Sequence, residues 1–246
     1  MVTDPEIADV ARTVAVDLVG EGATAVVLAG SHARGDATDL SDIDLYAIGE
    51  GPAYTLRVVR GRLVAVSWRS EDDERRALRQ PASVGAVVPA WRAARILHDP
   101  EGVAEGLQCE AADFDWAAIS AACDEWVADS TIGYAEEVLK LVAARRADDG
   151  LLAAVQRSVL VLRLPKVMAV RHRLLYDTEN RLWHLVAQAM GEEWALAQTA
   201  AFGLESGEGP DHAAIQLFTL AVDSVRPLLT LSQVEVADLA LGAAGP

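Results

Sequence analysis

The segment Leu28–Leu45, LAGSHARGDATDLSDIDL, constrains this chain more than any other feature. The apolar run Ala23–Ala29 leads into Gly30-Ser31, and after a loop Ser41–Ile48 alternates polar and apolar residues. The first reads as a buried strand and the second as a strand with one buried face. Consecutive strand residues point to opposite faces, so Asp42 and Asp44 share one face, with Ile43 and Leu45 behind them. Two carboxylates this close raise each other's pKa. A bound Mg²⁺ removes that conflict, because hard cations take carboxylate oxygens together with phosphate oxygens.

Gly30 supplies the other half of the pattern. It lets the backbone turn tightly and approach a phosphate, while Ser31 offers a hydroxyl and an amide at a helix start. Arg34, one turn later, is placed to neutralise a leaving pyrophosphate. Singly, an acid pair is usually a solvated face and Gly-Ser after a strand is usually a turn. Combined as G-S-x-x-R-x(7)-D-x-D between two strands, they make a phosphate cradle beside a metal-binding pair. Nucleotidyl transfer needs that combination, since its chemistry is mostly positioning and charge neutralisation.

Composition narrows the alternatives. The 246 residues predict one or two domains, and 52% hydrophobic with 24% charged residues is a globular mixture. The two cysteines, Cys109 and Cys123, have no metal-ligand spacing and make no disulfide framework. Asp4, Glu6, Asp9 and Asp17 interrupt the first twenty residues, which argues against a signal peptide and for a cytoplasmic location. No apolar run reaches eighteen residues, so no membrane span is expected. A net charge of −16 repels phosphate backbones, and the densest basic stretch, Arg157–Arg173, is interleaved with apolar residues as in a helix. A nucleic-acid partner is therefore not expected, and a cationic small molecule suits the field better.

The remaining pattern divides the chain. Thr3-Asp4-Pro5-Glu6 opens a helix that runs through Ile7, Val10, Ala11, Val14 and Leu18 to Gly20. Tyr54–Trp68 predicts a hairpin about Gly61-Arg62, Ser70 caps a following helix, and Arg95–His98 reads as a late strand before a helix from Pro100. From Trp116 onward the strand signal disappears, and helical patterns cover 116–146, 151–175, 179–190 and 211–229. The expected organisation is an α+β domain over 1–112 and a helical domain over 113–246. Trp116, Trp126, Trp183 and Trp194 are expected to pack helices. His98, His172, His184 and His212 show no metal spacing, and His32 reads as a partly exposed loop residue.

GSHARGDATDLSDID resembles the signature of the DNA polymerase β-like nucleotidyltransferase superfamily, and within it the chain most resembles the kanamycin nucleotidyltransferase branch. ARILHDPEG (94–102) and RLLYDTENRLWHLVA (173–187) are similar to further stretches of that branch. The resemblance implies a polymerase-β-like N-terminal domain, a mixed sheet with flanking helices, followed by a C-terminal helical bundle. It implies Asp42 and Asp44 as Mg²⁺ ligands, Gly30, Ser31 and Arg34 as nucleotide contacts, and ATP or another nucleoside triphosphate as co-substrate. Counting back from Arg173 at the family-like spacing assigns Glu136 as general base, with Lys140 on the same helix face holding phosphate oxygens. An ordinary i,i+4 surface ion pair is the competing account of those two residues. The acceptor implied is a small hydroxyl compound of aminoglycoside type, and the assembly implied is a homodimer.

One departure stands out. The superfamily usually places a third carboxylate on the neighbouring strand, and here the expected position in Leu63–Trp68 holds Ala65. Ser67 shares its face and is a poor substitute, and Glu71, Asp72 and Asp73 follow as helix-start acids. Two other readings therefore stay open: a nucleotide-binding homologue without catalysis, and a protein-modifying nucleotidyltransferase.

Overall fold

A computed structural model describes residues 5–204 and 209–245. The chain divides into two compact units, one ending at Asp115 and the other beginning at Trp116. The first unit opens with α1 (Pro5–Gly20), whose Ile7, Val10, Ala11, Val14 and Leu18 form one buried stripe. Pro5 opens the described part of this helix, and the capping acid expected at Asp4 lies outside the described residues.

Five strands follow: β1 (Ala25–Leu28), β2 (Ile43–Ile48), β3 (Tyr54–Val59), β4 (Arg62–Arg69) and β5 (Arg95–His98). They form one sheet in the order β3-β4-β2-β1-β5, in which β2 and β4 run parallel and all other neighbours antiparallel. The hairpin joining β3 to β4 turns at Arg60-Gly61, one residue earlier than expected. Both residues have positive φ (52° and 76°), as the two-residue turns that match strand twist require. Helices α2 (Gly30–Arg34), α3 (Glu71–Ala77), α4 (Pro81–Ala93) and α5 (Val103–Ala112) complete the unit. Ser70 caps α3 as expected, its hydroxyl accepting from the Asp73 amide at 3.1 Å.

The two faces of the sheet differ in chemistry. Ile43, Leu45 and Ala47 of β2, with Val64, Val66 and Trp68 of β4, are buried in one cluster with the apolar stripe of α1. The alternate residues Asp44, Tyr46, Ala65 and Ser67 lie on the other face. The sheet is therefore apolar where it meets α1 and carries its polar side chains on the other face.

The second unit is helical, with α6 (Ser120–Gly133), α7 (Ala135–Arg146), α8 (Gly150–Arg171), α9 (Glu179–Met190), α10 (Glu192–Ala201), α11 (Pro210–Val225) and α12 (Leu231–Ala244). The helical stretch expected over 116–146 is split at Tyr134 into α6 and α7. Helix α8 packs against α6, α7, α9 and α11, and its Leu160, Leu164 and Met168 are fully buried. Arg173, just beyond α8, donates to Asp124 at 2.6 Å and lies over the Trp116 ring. Among the described residues, no helix is long and apolar enough to cross a membrane.

Candidate functional site

Gly30 and Asp44 meet at the end of the first two strands. The Ala29 amide donates to the Asp44 carbonyl at 2.8 Å, which carries the chain from β1 directly past β2. Gly30 then starts α2 with φ +62°, and a Cβ built on it would lie 1.9 Å from Oδ2 of Asp44. Only glycine fits, because both the left-handed backbone and the carboxylate exclude a side chain. The tight turn expected at Gly30 is present, and the group that its missing side chain makes room for is the Asp44 carboxylate.

Helix α2 carries Ser31, His32 and Arg34 in a single turn and a half. Gly35, with φ 86°, ends it by donating to the Ser31 carbonyl at 2.8 Å. From β5, Arg95 donates through Nε to the Ala33 carbonyl at 2.9 Å and so pins the helix C-terminus. Arg34 pairs with Asp36 at 3.2 Å and also acts on Asp44 as a stabilising positive charge. His32 belongs to this helix rather than to a loop, and its buried Nε2 has no hydrogen-bond partner. Its side chain is partly exposed, as the sequence predicts.

Asp42 immediately precedes β2 and Asp44 is its second residue, so the strand begins later than expected while the two carboxylates remain neighbours. Burial pushes the Asp44 carboxyl up to about 6, the Asp42 charge adds to the rise, and the Arg34 charge opposes it. A divalent cation placed between the two would relieve both the burial and the repulsion, and the donors are the hard oxygens that Mg²⁺ prefers. The residues present therefore fit such an ion. Among the described residues no group of three or more metal-binding side chains occurs, so the pair stands without a third ligand.

The reason is visible in the register. Asp44 pairs with Ala65 across the parallel β2–β4 ladder, and Ala65 is buried. Paired positions project to the same face, so Ala65 occupies the place from which a third carboxylate would reach the metal. Among the described residues none of Glu71, Asp72 and Asp73 joins the pair in a metal-binding group, and Glu71 instead binds Arg75 at 2.7 Å and Asp73 binds Ser70 at 2.7 Å.

The acid that does return to this face is Glu74, which sequence reasoning missed. It is 2% exposed, accepts from Trp91 Nε1 of α4 at 2.6 Å, and accepts from Arg69 of β4 at 2.7 Å. The Arg69 guanidinium lies 4.7 Å from the centre of the Tyr46 ring, which also meets Trp91 at 6.2 Å. Tyr46 is two residues from Asp44 on the same face. The network therefore fixes the floor beside the carboxylate pair without contributing a metal ligand.

Glu136 and Lys140 lie on α7 of the second unit. Lys140 Nζ is 3.0 Å from Glu136 and 3.3 Å from Glu137, and the Glu136 side chain is 71% exposed. The i,i+4 geometry expected of them is present.

Because the folded Asp44 binds its proton more tightly than the unfolded chain does, it contributes stability at low pH that is lost as pH rises from about 4 to about 6. Asp44→Asn lacks this dependence. The variant should gain up to about 3 kcal/mol relative to wild type across that window in metal-free urea denaturation. A constant difference between the two proteins would show that Asp44 titrates normally.

Against this geometry, residues 12–82 match the family described as "Nucleotidyltransferase domain". That match spans the C-terminal part of α1 from Arg12, the whole Gly30–Asp44 site and the Ala65 strand. The fold is similar to that of a nucleotidyltransferase-like protein from Exiguobacterium sibiricum 255-15, with a TM-score of 0.55 at 12% identity, covering 95% of this chain and 77% of that one. No curated protein matches the chain in sequence.

Proposed function

We propose that this protein is a Mg²⁺-dependent nucleotidyltransferase that moves AMP from ATP onto the hydroxyl of a small molecule. The observation carrying this reading is the contact of Gly30 with Asp44, which joins the phosphate-approaching backbone and the carboxylate pair into one site. Asp42 and Asp44 hold the ion, which when bound offsets the negative charge of the triphosphate. Gly30 and Ser31 take phosphate oxygens at the start of α2, and Arg34 offsets the charge of the departing pyrophosphate. The acceptor oxygen forms a bond to the α-phosphorus as the bond from that phosphorus to the bridging oxygen breaks. Glu136 takes the acceptor's proton and Lys140 steadies phosphate oxygens, roles that rest on the family resemblance. The aminoglycoside type of acceptor and the homodimer rest on that resemblance too, the former aided by the net charge of −16.

The deciding experiment is calorimetric titration with ATP, with and without Mg²⁺, on wild type and on Asp42→Asn/Asp44→Asn. Binding that requires both the ion and the aspartates supports the reading, and wild type that binds no nucleotide ends it. Glu136→Gln is expected to slow transfer at least about tenfold with Mg-ATP affinity unchanged, and unaltered turnover removes Glu136 from the mechanism.

Ala65 opposite Asp44 favours a second reading, a nucleotide-binding protein without catalysis. It predicts Mg-ATP binding with no pyrophosphate release whatever acceptor is offered.

A further inference from the structure

Beside the carboxylate pair the sheet changes character. Strand β3 forms one edge of the sheet, and its Tyr54, Leu56 and Val58 are 58%, 56% and 76% exposed. The register sets Val58 opposite Leu63, itself 45% exposed, and Leu56 opposite Ala65. Ala65 in turn is opposite Asp44, and the same ladder continued one residue sets Leu63 beside Asp42. Paired residues share a face, so an apolar shelf of Tyr54, Leu56, Val58 and Leu63 is continuous with the two carboxylates. The polarity of β3 is inverted from the usual arrangement of an edge strand, which places charge outward. Its other face carries Arg57, held by Glu21 through two bonds at 2.9 and 2.7 Å. An exposed apolar patch adjoining a polar site marks a binding surface more often than chance exposure does.

The sheet order decides what the shelf is for. From the phosphate cradle after β1, the order runs to Asp44 on β2, then Ala65 on β4, then Leu56 on β3. Displacement at phosphorus is in line, so the acceptor approaches from the side opposite the leaving pyrophosphate. With the pyrophosphate at Gly30 and Ser31, the strand order puts the shelf beyond Asp44, on the side away from the cradle. We infer that Tyr54, Leu56, Val58 and Leu63 seat the acceptor, and that it is a neutral hydroxyl compound with an apolar face rather than a polycation. Ala65 fits this assignment, because it removes charge from the acceptor's side of the site. The inference rests on the transferase reading above and replaces the aminoglycoside-type acceptor named there with a neutral one.

The test uses primary ω-phenylalkanols with two to six methylenes, and 2-deoxystreptamine as a cationic counter-probe. Binding to the full chain with Mg-ATP is followed calorimetrically, and AMP transfer is followed with α-labelled ATP. Affinity should rise about fourfold per methylene while the chain stays on the shelf, and label should pass to the alcohols. Leu56→Ser/Val58→Ser should weaken the longest alcohol at least about tenfold and leave Mg-ATP affinity unchanged. Both positions are exposed, so folding is retained, which circular dichroism verifies. A flat series, alcohols that bind without accepting label, or transfer to 2-deoxystreptamine untouched by the double variant would each overturn the inference while Mg-ATP binding keeps the transferase reading. A wild-type dimer that the double variant dissociates in light scattering would overturn it as well, by giving the shelf to a second copy. Wild type without Mg-ATP binding would remove both.

Discussion

Glu74→Ala is expected to lower the unfolding free energy by about 3 kcal/mol, the low end of the range for removing one partner of a buried charged pair. Two groups lose their acceptor at once. Trp91 is fully buried, so its Nε1 finds no water in exchange, whereas the Arg69 side chain is 33% exposed and regains hydration. That asymmetry places the loss near the bottom of the range. Glu74→Gln retains an amide oxygen for Trp91 and should lose only about 1–2 kcal/mol. Urea denaturation at pH 7 measures both. An alanine variant within experimental error of wild type would show that the desolvation of Glu74 cancels all that its two hydrogen bonds contribute.

Gly30→Ala is expected to reduce Mg-ATP affinity at least about tenfold, a change of about 1.4 kcal/mol. The backbone there has φ +62°, and the new methyl would overlap Oδ2 of Asp44, so either the carboxylate or the start of α2 must move. Gly61→Ala separates the two causes. Gly61 has a similar φ of +76° but open space around it, so alanine there meets only backbone strain, roughly 1 kcal/mol of stability. It should bind nucleotide as wild type does. If both variants bind normally, the contact between Gly30 and Asp44 does not shape the site. If both are equally impaired, general destabilisation explains the loss.

The elements that sequence reading located are those whose environment is written into a local period. Helix α1 shows its stripe in five apolar residues, and β2 shows its two faces by alternation. The family resemblance supplied the mixed sheet and the expectation at Ala65, which the β2–β4 register now explains. Helix α4 was not assigned because Pro81, Gly85, Pro89 and three valines lower its helix propensity, and tertiary burial of Val84, Val88 and Trp91 overrides that preference. Helix α12 spreads its apolar residues around the whole helix, between Ser232, Gln233, Glu235 and Asp238, and α10 follows α9 after a single glycine, so neither shows a clear stripe or boundary. The Glu74 network was hidden for a different reason. Glu74 is the fourth acid of a helix start, and nothing local distinguishes it from Glu71, Asp72 and Asp73. Its role arises only when β4, α3 and α4 come together, which is a long-range event.

The division of the sheet into two faces has a consequence for how the site is inherited. In β2 the odd-numbered Ile43, Leu45 and Ala47 enter the core under α1 while Asp44 and Tyr46 face away from it, and in β4 the core residues are the even-numbered Val64, Val66 and Trp68. An error of one residue in the pairing would press Asp44 into the apolar cluster under α1 and turn Leu45 outward, at a cost far above what a marginally stable domain tolerates. The hydrophobic cluster thus acts as a proofreader for the carboxylate pair. Chains that have folded at all carry their two aspartates side by side, and an insertion within 43–48 is punished first as a folding defect and only afterwards as a loss of chemistry.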